Sequence, residues 1–141
     1  MKLKGMVEIW SLDKKGNIKK YIKKHNTILN NGKEIFYKDG HAIGQMGIGT
    51  DNTIPDPSQT GLLAEYRRES GLSKSSSGDF DLIVEKTFVN FTESVNICEA
   101  GLCLSWDYGS KYAYLNRVTF DPVTCDENNN IKIKFTLTVI D

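Results

Sequence analysis

The sequence predicts an all-β domain with a minor α-helical part: an antiparallel β-sandwich that carries one short helix near residues 33–39. Three observations support this fold class. Short runs of β-branched and aromatic residues recur along the 141 residues at fairly regular spacing. Turn signals containing Gly, Asn, Asp or Pro separate the runs. The last run, residues 131–139, alternates apolar and polar side chains without error, which indicates a strand with one buried face.

A β-hairpin is expected to open the fold. Residues 5–12 indicate a strand, and the Lys-Lys-Gly-Asn sequence at 14–17 indicates a tight turn. The apolar spacing within residues 18–24 would also suit a helix, but the preceding turn favours a returning strand.

A short helix and a glycine-rich strand follow. Asn30 or Asn31 is expected to cap the helix, because an Asn side chain accepts a hydrogen bond from the first-turn amides. Gly40 is expected to end the helix. Residues 42–49 then indicate an apolar strand whose glycines mark a bulge or a close backbone approach.

The middle of the chain is predicted to consist largely of loops. Residues 50–61 hold two of the three prolines together with Asp, Asn, Ser and Thr, and they give the clearest loop signal. Residues 62–69 suit either a short helix or a strand. Residues 70–79 have low complexity, which favours a mobile, exposed loop.

Strands dominate the second half of the predicted fold. Residues 80–91 indicate a long strand whose apolar parity changes after Phe88, which a bulge or burial of both faces would explain. No repeat or second domain is apparent, so residues 1–141 are interpreted as a single domain. The remaining predicted elements are strands over 95–106 and 112–120, a stop at Asp121-Pro122, and turns at 107–110 and 126–130.

Charge is balanced over the whole chain but divided between its parts. The 18 basic residues equal the 18 acidic ones, yet residues 1–40 hold ten Lys and four acidic residues, a net +6. The remainder therefore carries −6. Such a dipolar chain could stack head to tail with copies of itself or sit on an acidic partner. The simpler interpretation is a strand edge decorated with lysines, which discourages unwanted sheet pairing.

The sequence predicts a protein made and assembled in a reducing cytosol. Its three cysteines, Cys98, Cys103 and Cys125, are an odd number, which argues against a secreted disulfide framework. The N-terminus lacks the apolar region of a signal peptide, and no apolar run is long enough to span a bilayer. No membrane association is expected.

No catalytic site, metal site or cofactor is predicted. His25 and His41 are sixteen positions apart with no cysteine nearby, so neither a zinc site nor a cysteine nucleophile is supported. Asp51, Asn52 and Asp56 could offer oxygen ligands to Ca²⁺, but their spacing departs from that of an EF-hand loop.

A basic segment raises the question of nucleic-acid binding. Lys19, Lys20, Lys23 and Lys24 surround Tyr21, a combination that can follow a phosphate backbone. Arginine is scarce and the chain is neutral overall, which disfavours a dedicated nucleic-acid-binding protein. No nucleic-acid partner is expected.

Several short motifs occur in an order that spans nearly the whole chain. They are Asn26-x-x-x-x-x-Gly32, Gly47-x-Gly49-Thr50, a Leu-Leu-Ala-Glu segment from Leu62, Glu99-x-Gly101-Leu102 and Arg117-x-x-Phe120-x-Pro122. In this order the chain resembles small virion structural proteins of tailed bacteriophages, of the tail, tail-fibre-associated or head-decoration type.

The resemblance implies a compact β-sandwich that packs into oligomeric rings or clusters on a virion and carries no catalytic residues. It also implies structural roles for the motif residues. Asn26 and Gly32 would set the turn into the helix. Gly47 and Gly49 would let their strand run into the 50–61 loop.

A charged pair is expected within the motifs. Glu99 and Arg117 fall on neighbouring predicted strands, and we expect a cross-strand or inter-sheet ion pair between them. A surface pair of this kind would contribute at most ~1 kcal/mol to stability.

The predicted function is therefore that of a non-enzymatic structural protein, located in the virion after assembly in the bacterial host cytoplasm. The expected partners are other virion proteins, either the portal and tail or the major capsid protein, and further copies in a homo-oligomer. The candidate interface residues are Lys19, Lys20, Lys23, Lys24, Asp51, Asn52, Asp56, Ser75 and Ser76.

A carbohydrate-binding β-sandwich module that takes part in host recognition is the alternative. Such a module would need exposed aromatic rings, although packing in the core is the simpler interpretation of each aromatic residue. The candidates are Trp10, Trp106, Tyr108, Tyr112 and Tyr114.

Overall fold

The computed structural model describes residues 2–39, 43–77, 81–104 and 113–140. Within these ranges the chain forms eleven strands and one helix. In chain order they are β1 (Lys2–Asp13), β2 (Ile18–His25), β3 (Thr27–Ile28), α1 (Asn30–Asp39), β4 (Ile43–Gly49), β5 (Glu65–Glu69), β6 (Ser73–Ser77), β7 (Asp81–Phe88), β8 (Val95–Leu104), β9 (Ala113–Tyr114), β10 (Asn116–Cys125) and β11 (Asn129–Ile140).

Two antiparallel sheets pack against each other. The first sheet has five strands in the order β2-β1-β11-β7-β6. The second sheet has the order β3-β10-β8-β4-β5, with the short β9 paired to β8 off this path. The fold is thus an all-β sandwich with a minor helix, which confirms the predicted fold class.

Alternating side chains fill the space between the sheets. On β11 the inward positions are buried and the intervening lysines and threonines are half-buried on the opposite face. The same period of two operates on β1, whose partner in the ladder is β11. The inward side chains of these two strands are Val7, Ile9, Ile131, Ile133, Phe135 and Leu137, all at most 2 % exposed.

Lysines reach across the open sides of the sandwich. Lys24, on the edge strand β2, donates from Nζ to the carbonyl of Thr119 at 2.6 Å. Lys74, on the opposite edge strand β6, donates to the carbonyl of Ile43. Both acceptors belong to the second sheet. Charged side chains of this kind at an edge hinder the addition of a foreign strand.

The helix begins three residues earlier than the predicted 33–39. The N–H of Asn30 donates to the carbonyl of Pro57 at 2.8 Å, and the N–H of Lys33 donates to the carbonyl of Leu29 at 2.9 Å. A carbonyl from a distant loop therefore satisfies an amide at the helix start, where the sequence suggested an asparagine cap. The predicted end at Gly40 lies outside the described residues.

The prediction of a mobile loop at residues 70–79 is wrong for most of the described residues in this range. Residues 73–77 form β6, which pairs with β7 from Ser73 opposite Glu85 to Ser77 opposite Asp81. The backbone supplies this pairing at the sheet edge, so it requires no apolar side chain. Low complexity is consequently a poor sign of disorder here.

Neither a bulge nor burial of both faces explains the change in the apolar pattern after Phe88. The strand β7 ends at Phe88, and Asn90 adopts a positive φ of 61°. Val89 lies beyond the strand and is 40 % exposed. The chain therefore turns at this point, without a bulge or a second buried face.

The predicted stop at Asp121-Pro122 is also wrong. β10 continues to Cys125, with a shift of register between Thr119 and Val123 in its pairing with β8. Asp121 and Pro122 are exposed within this irregularity. Proline is tolerated there because its missing N–H falls outside the regular ladder.

Of the segment 62–69, for which helix and strand were both open, residues 65–69 form the strand β5. The predicted turn at 107–110 lies outside the described residues.

Candidate functional site

The outer face of the second sheet is covered by the chain itself. Eight consecutive residues of β8, from Ile97 to Leu104, are buried, so both faces of this strand are shielded from water. The cover is α1 together with the segment that joins β4 to β5, called the 50–64 loop below. A small apolar cluster beneath this cover comprises Leu29, Leu62, Cys103 and Tyr114.

A fully buried ion pair lies under the 50–64 loop. Nε of Arg117 is 2.9 Å from Oε1 of Glu99, and both side chains are 0 % exposed. β8 and β10 are hydrogen-bonded neighbours, so the pair is of the cross-strand kind that the sequence suggested. It is not on the surface, however, and the ~1 kcal/mol ceiling for an exposed pair does not apply.

The Glu99 carboxylate holds both ends of the 50–64 loop. Its Oε2 accepts from the N–H of Asp51 at 3.1 Å and from the N–H of Ala64 at 2.8 Å. Its Oε1 accepts from the N–H of Leu63 at 2.9 Å as well as from Arg117. Four hydrogen bonds thus compensate the cost of removing this charge from water.

The Arg117 guanidinium holds the interior of the same loop. Nη1 donates to the carbonyl of Thr53 at 2.8 Å and to Oε1 of Gln59 at 3.2 Å. Nη2 donates to the carbonyl of Asp51 at 3.1 Å and lies 3.6 Å from its Oδ1. The planar group, with five donors in a fixed arrangement, suits this simultaneous contact with several oxygens.

The two aspartates of the loop close local turns. Oδ1 of Asp51 accepts from the N–H of Thr53 at 2.7 Å, and Oδ1 of Asp56 accepts from the N–H of Ser58 at 2.8 Å. Hydrogen bonds from the side chains, and then from the backbone N–H groups, of Thr53 and Ser58 lower the pKa of both carboxyls. Each carboxylate that was weighed as a Ca²⁺ ligand is therefore already bonded to the loop.

Gln59 completes the attachment at the tip of the loop. Its Nε2 donates to the carbonyl of Ile54 at 3.3 Å, and its Oε1 accepts from the N–H of Asp56 at 3.2 Å. The Ile54 side chain itself is 83 % exposed. A large aliphatic group is thus presented to solvent on a backbone that is held on both sides.

Gly47 and Gly49 have a more specific role than the predicted one. A Cβ at Gly49 would lie 2.5 Å from Oε2 of Glu99, and a Cβ at Gly47 would lie 2.0 Å from Oη of Tyr114. These glycines make room for two buried polar side chains. The hydroxyl of Tyr114 donates to the carboxylate of Glu65. Burial is the main cause that raises the pKa of the Tyr114 phenol, and this hydrogen bond is the second.

Asn26 and Gly32 also act through close packing. A Cβ at Gly32, in the first turn of α1, would lie 2.0 Å from the carbonyl oxygen of Tyr114. The backbone N–H of Asn26 donates to the carbonyl of Gly5 at 3.1 Å, while its side-chain amide is buried with no hydrogen-bond partner among the described residues. The glycine permits the helix to approach β9.

The predicted interface residues occupy three separate places. One group lies on β2, at one edge of the first sheet, and another lies on β6, at the opposite edge. The third group lies in the 50–64 loop over the second sheet. These groups are Lys19, Lys20, Lys23 and Lys24; Ser75 and Ser76; and Asp51, Asn52 and Asp56.

The candidate sugar-binding aromatics are divided as well. Tyr114 is only 5 % exposed and belongs to the core beneath the loop. Trp10 is half-buried, and its ring centroid lies 5.4 Å from that of the exposed Tyr21 at an interplanar angle of 43°. The other three candidates, Trp106, Tyr108 and Tyr112, lie outside the described residues.

Gln59 and Ile54 were not singled out from the sequence. Ile54 did carry a signal, because an isolated apolar residue between polar residues and a proline is unusual in a loop. Gln59 carried none, since a glutamine in a polar segment is ordinary. Its role depends on Arg117, which is distant in sequence.

The described ranges contain no group of three or more His, Cys, Asp or Glu that could hold a metal ion. All three cysteines are buried and free. Burial raises the pKa of the Cys103 thiol to about 11 and that of the Cys125 thiol to about 12. Among the described residues, no helix is long and apolar enough to cross a membrane.

The chain matches no protein-family model, no curated protein and no solved structure.

Proposed function

We propose that this chain is a non-enzymatic structural protein of a tailed-phage virion. It is made in the bacterial host cytoplasm and packs as repeated copies on the tail or collar, or on the capsid surface. Its partners are the portal and tail proteins or the major capsid protein, together with further copies of itself.

The observation that carries this proposal is the convergence of three motifs on one loop. Gly49, Glu99 and Arg117 come from three different motifs of the resemblance, and they meet beneath the 50–64 loop. The residues on which the resemblance rests therefore fix the shape of a surface segment. A fixed surface segment suits a repeated protein contact, because less conformational entropy is lost when it binds.

Association with virion parts tests the proposal. The purified protein is mixed with isolated capsids and, separately, with isolated portal–tail complexes of a tailed phage, and its mass and comigration are measured by light scattering and sedimentation. We expect comigration with one of the two complexes. A protein that joins neither complex would contradict the proposal.

Carbohydrate binding is a second candidate, and one surface of the first sheet favours it. Nζ of Lys132 lies 5.2 Å from the centre of the Trp10 ring, and Tyr21 donates from its hydroxyl to Glu8 at 2.7 Å. A shallow cleft of about 310 Å³ is partly lined by Lys132 and by Glu85 on the neighbouring strand. An aromatic ring beside polar side chains is a common arrangement for holding a sugar.

Titration against a panel of bacterial surface glycans tests this alternative. Glycan binding would quench the fluorescence of Trp10. The Trp10→Ala substitution would abolish glycan binding while leaving the melting temperature nearly unchanged. The control is Tyr66→Ala, which removes an aromatic ring from the second sheet. If glycans bind the Trp10→Ala protein as well as the wild type, the surface around Trp10 is not the site.

A further inference from the structure

We propose that the chain associates head to tail with a second copy of itself, the tip of the 50–64 loop of one copy docking on the β2 edge of the next. This inference rests on the proposed function, since it names a contact through which repeated copies would pack. It extends that function by assigning both halves of the contact to particular residues.

The first half of the contact is acidic, and Ile54 is its most exposed apolar side chain. Residues 50–64 contain two acidic residues and no Lys or Arg. Ile54 is 83 % exposed, the largest exposed fraction among the described large apolar residues. Asp56 beside it is exposed and forms no ion pair with any described residue. An exposed apolar side chain on a preorganised backbone is the usual form of an interface anchor.

The second half is basic and carries apolar side chains of its own. Residues 14–24 contain six Lys and no acidic residue. Within β2, Ile18 is 63 % exposed and Tyr21 is 47 % exposed. The side chains of Lys20 and Lys23 are exposed and make no hydrogen bond or ion pair with the described residues. Within the described chain, both ammonium groups are therefore free to meet an acidic partner.

The two halves match in charge and in apolar content. The loop offers Ile54 beside the unpaired carboxylate of Asp56. The β2 edge offers Ile18, Tyr21 and Lys23 on one side of its ladder and Lys20 on the other. Complementary potentials of this kind steer association and fix its register. The match identifies the partner as a second copy, because the same chain provides both surfaces.

The positions of the two halves make the contact head to tail. β2 is an edge strand of the first sheet, whereas the 50–64 loop covers the outer face of the second sheet. After one contact has formed, one copy therefore still carries an unused edge and the other still carries an unused loop. Contacts between two different patches generate rings when the rotation closes.

Side chains make this contact, without pairing of backbone strands. Lys24 on β2 is already engaged with the carbonyl of Thr119 and blunts the edge against strand addition. The docking residues Ile54, Lys20 and Lys23 contribute no packing to the core. Each can therefore be changed without loss of the fold.

Two variants remove one half of the contact each. Ile54→Ser removes the anchor of the loop, and Lys20→Glu/Lys23→Glu reverses the charge of the edge. We expect each variant to self-associate at least ~30-fold more weakly than the wild type in sedimentation equilibrium. The matched controls are Ile140→Ser, at another exposed isoleucine, and Lys2→Glu/Lys4→Glu, with the same change of net charge; both should associate as the wild type does.

Mixing the two defective variants provides the decisive measurement. The Ile54→Ser protein retains a working β2 edge, and the Lys20→Glu/Lys23→Glu protein retains a working loop. A head-to-tail contact predicts that an equimolar mixture forms a one-to-one heterodimer, although neither variant associates by itself. Native mass spectrometry separates the heterodimer from both homodimers, because the variants differ in mass.

Three results would overturn the inference. They are a wild type that stays monomeric to ~1 mM, variants that associate as tightly as the wild type, and a mixture that yields no heterodimer. The virion-binding assay keeps the two proposals apart. Comigration with a capsid or tail complex by a protein that does not self-associate would refute this contact and leave the structural role intact. Self-association without comigration would support this contact and refute the virion role.

Discussion

Glu99 and Arg117 are charges that the fold removes entirely from water, at an unfavourable cost of several kcal/mol for each ion. The structure offsets this cost with hydrogen bonds to five backbone groups of the 50–64 loop. A pair of this kind adds little net stability compared with apolar residues of similar volume. Its effect is to fix one conformation of the loop.

Arg117→Ala is therefore expected to be strongly destabilising. The substitution leaves the Glu99 carboxylate buried without its cation, and breaking a buried pair in this way costs roughly 3–5 kcal/mol. Urea unfolding followed by fluorescence measures the change. Lys132→Ala is the control, because its ion pair with Glu85 is exposed and its loss should change the free energy of unfolding only slightly. Unchanged urea unfolding of Arg117→Ala would contradict the role given to the pair.

Gly49→Ala is a second test at the same place. Alanine is normally the better strand residue by roughly 0.5–1 kcal/mol. Here its Cβ would lie 2.5 Å from Glu99 and 2.4 Å from the carbonyl oxygen of Ala64. We expect a loss of roughly 1–3 kcal/mol in the free energy of unfolding, the usual range for overpacking. A stabilised Gly49→Ala protein would show that the carboxylate can move aside.

The sequence could suggest these residues but not their surroundings. The Glu99–Arg117 pair follows from placing both residues on neighbouring strands, which local patterns allow. Its burial does not follow, because the cover comes from the 50–64 loop, whose polar composition indicates exposure. The space left by Gly49 cannot be inferred from the sequence either, because it is filled by the Glu99 carboxylate, fifty positions away.

At the scale of elements, four turns are closed by the same kind of hydrogen bond to an aspartate side chain. Asp13, Asp51, Asp56 and Asp126 each accept a hydrogen bond from a residue two to four positions further along. These hydrogen bonds lower the pKa of each carboxyl below its usual value of 3.8. The turns are therefore coupled to pH.

The sign of this coupling predicts weakening in acid. A carboxyl whose pKa is lower in the folded state stabilises the fold fully above its unfolded pKa, and the contribution is lost as pH falls through the folded pKa. We expect the free energy of unfolding in urea to decline as pH is lowered below about 4. Asp126→Asn should flatten the decline, because it removes one titrating group. A flat profile between pH 5 and 2 would contradict this account.

Elements with clear periodicity were predicted well, and those held by distant contacts were not. β11 followed from its alternation alone. The start of α1 at Asn30 depends on the carbonyl of Pro57, and β6 depends on pairing with β7. β10 passes through Pro122 because the ladder is irregular there. In each case a tertiary contact outweighs the local signal.

At the scale of the whole molecule, the two sheets differ in their exposure to water. The second sheet is covered on one face by the core and on the other by α1 and the 50–64 loop. The first sheet has a covered inner face and an open outer face, with Trp10 and Lys132 on it. Sequence patterns predicted two packed sheets, but the order of the strands and the additional cover arise from the complete fold.

Hydrogen exchange should reveal this difference. Amides of β8, central in its sheet and shielded on both faces, are expected to exchange only through global unfolding. Amides of the edge strand β2 are expected to exchange many times faster through local opening. Exchange measured by mass spectrometry after peptic digestion would distinguish the two strands. Equal protection of β2 and β8 would contradict the described layering.

The lysines that reach inward from the edge strands have a consequence for behaviour at high concentration. Lys24 and Lys74 occupy opposite edges of the first sheet, and each ties its strand to a carbonyl of the second sheet. A foreign strand could extend the sheet only by displacing an ammonium group from such a contact. Crowded copies of the chain are therefore expected to resist growth into amyloid-like ribbons.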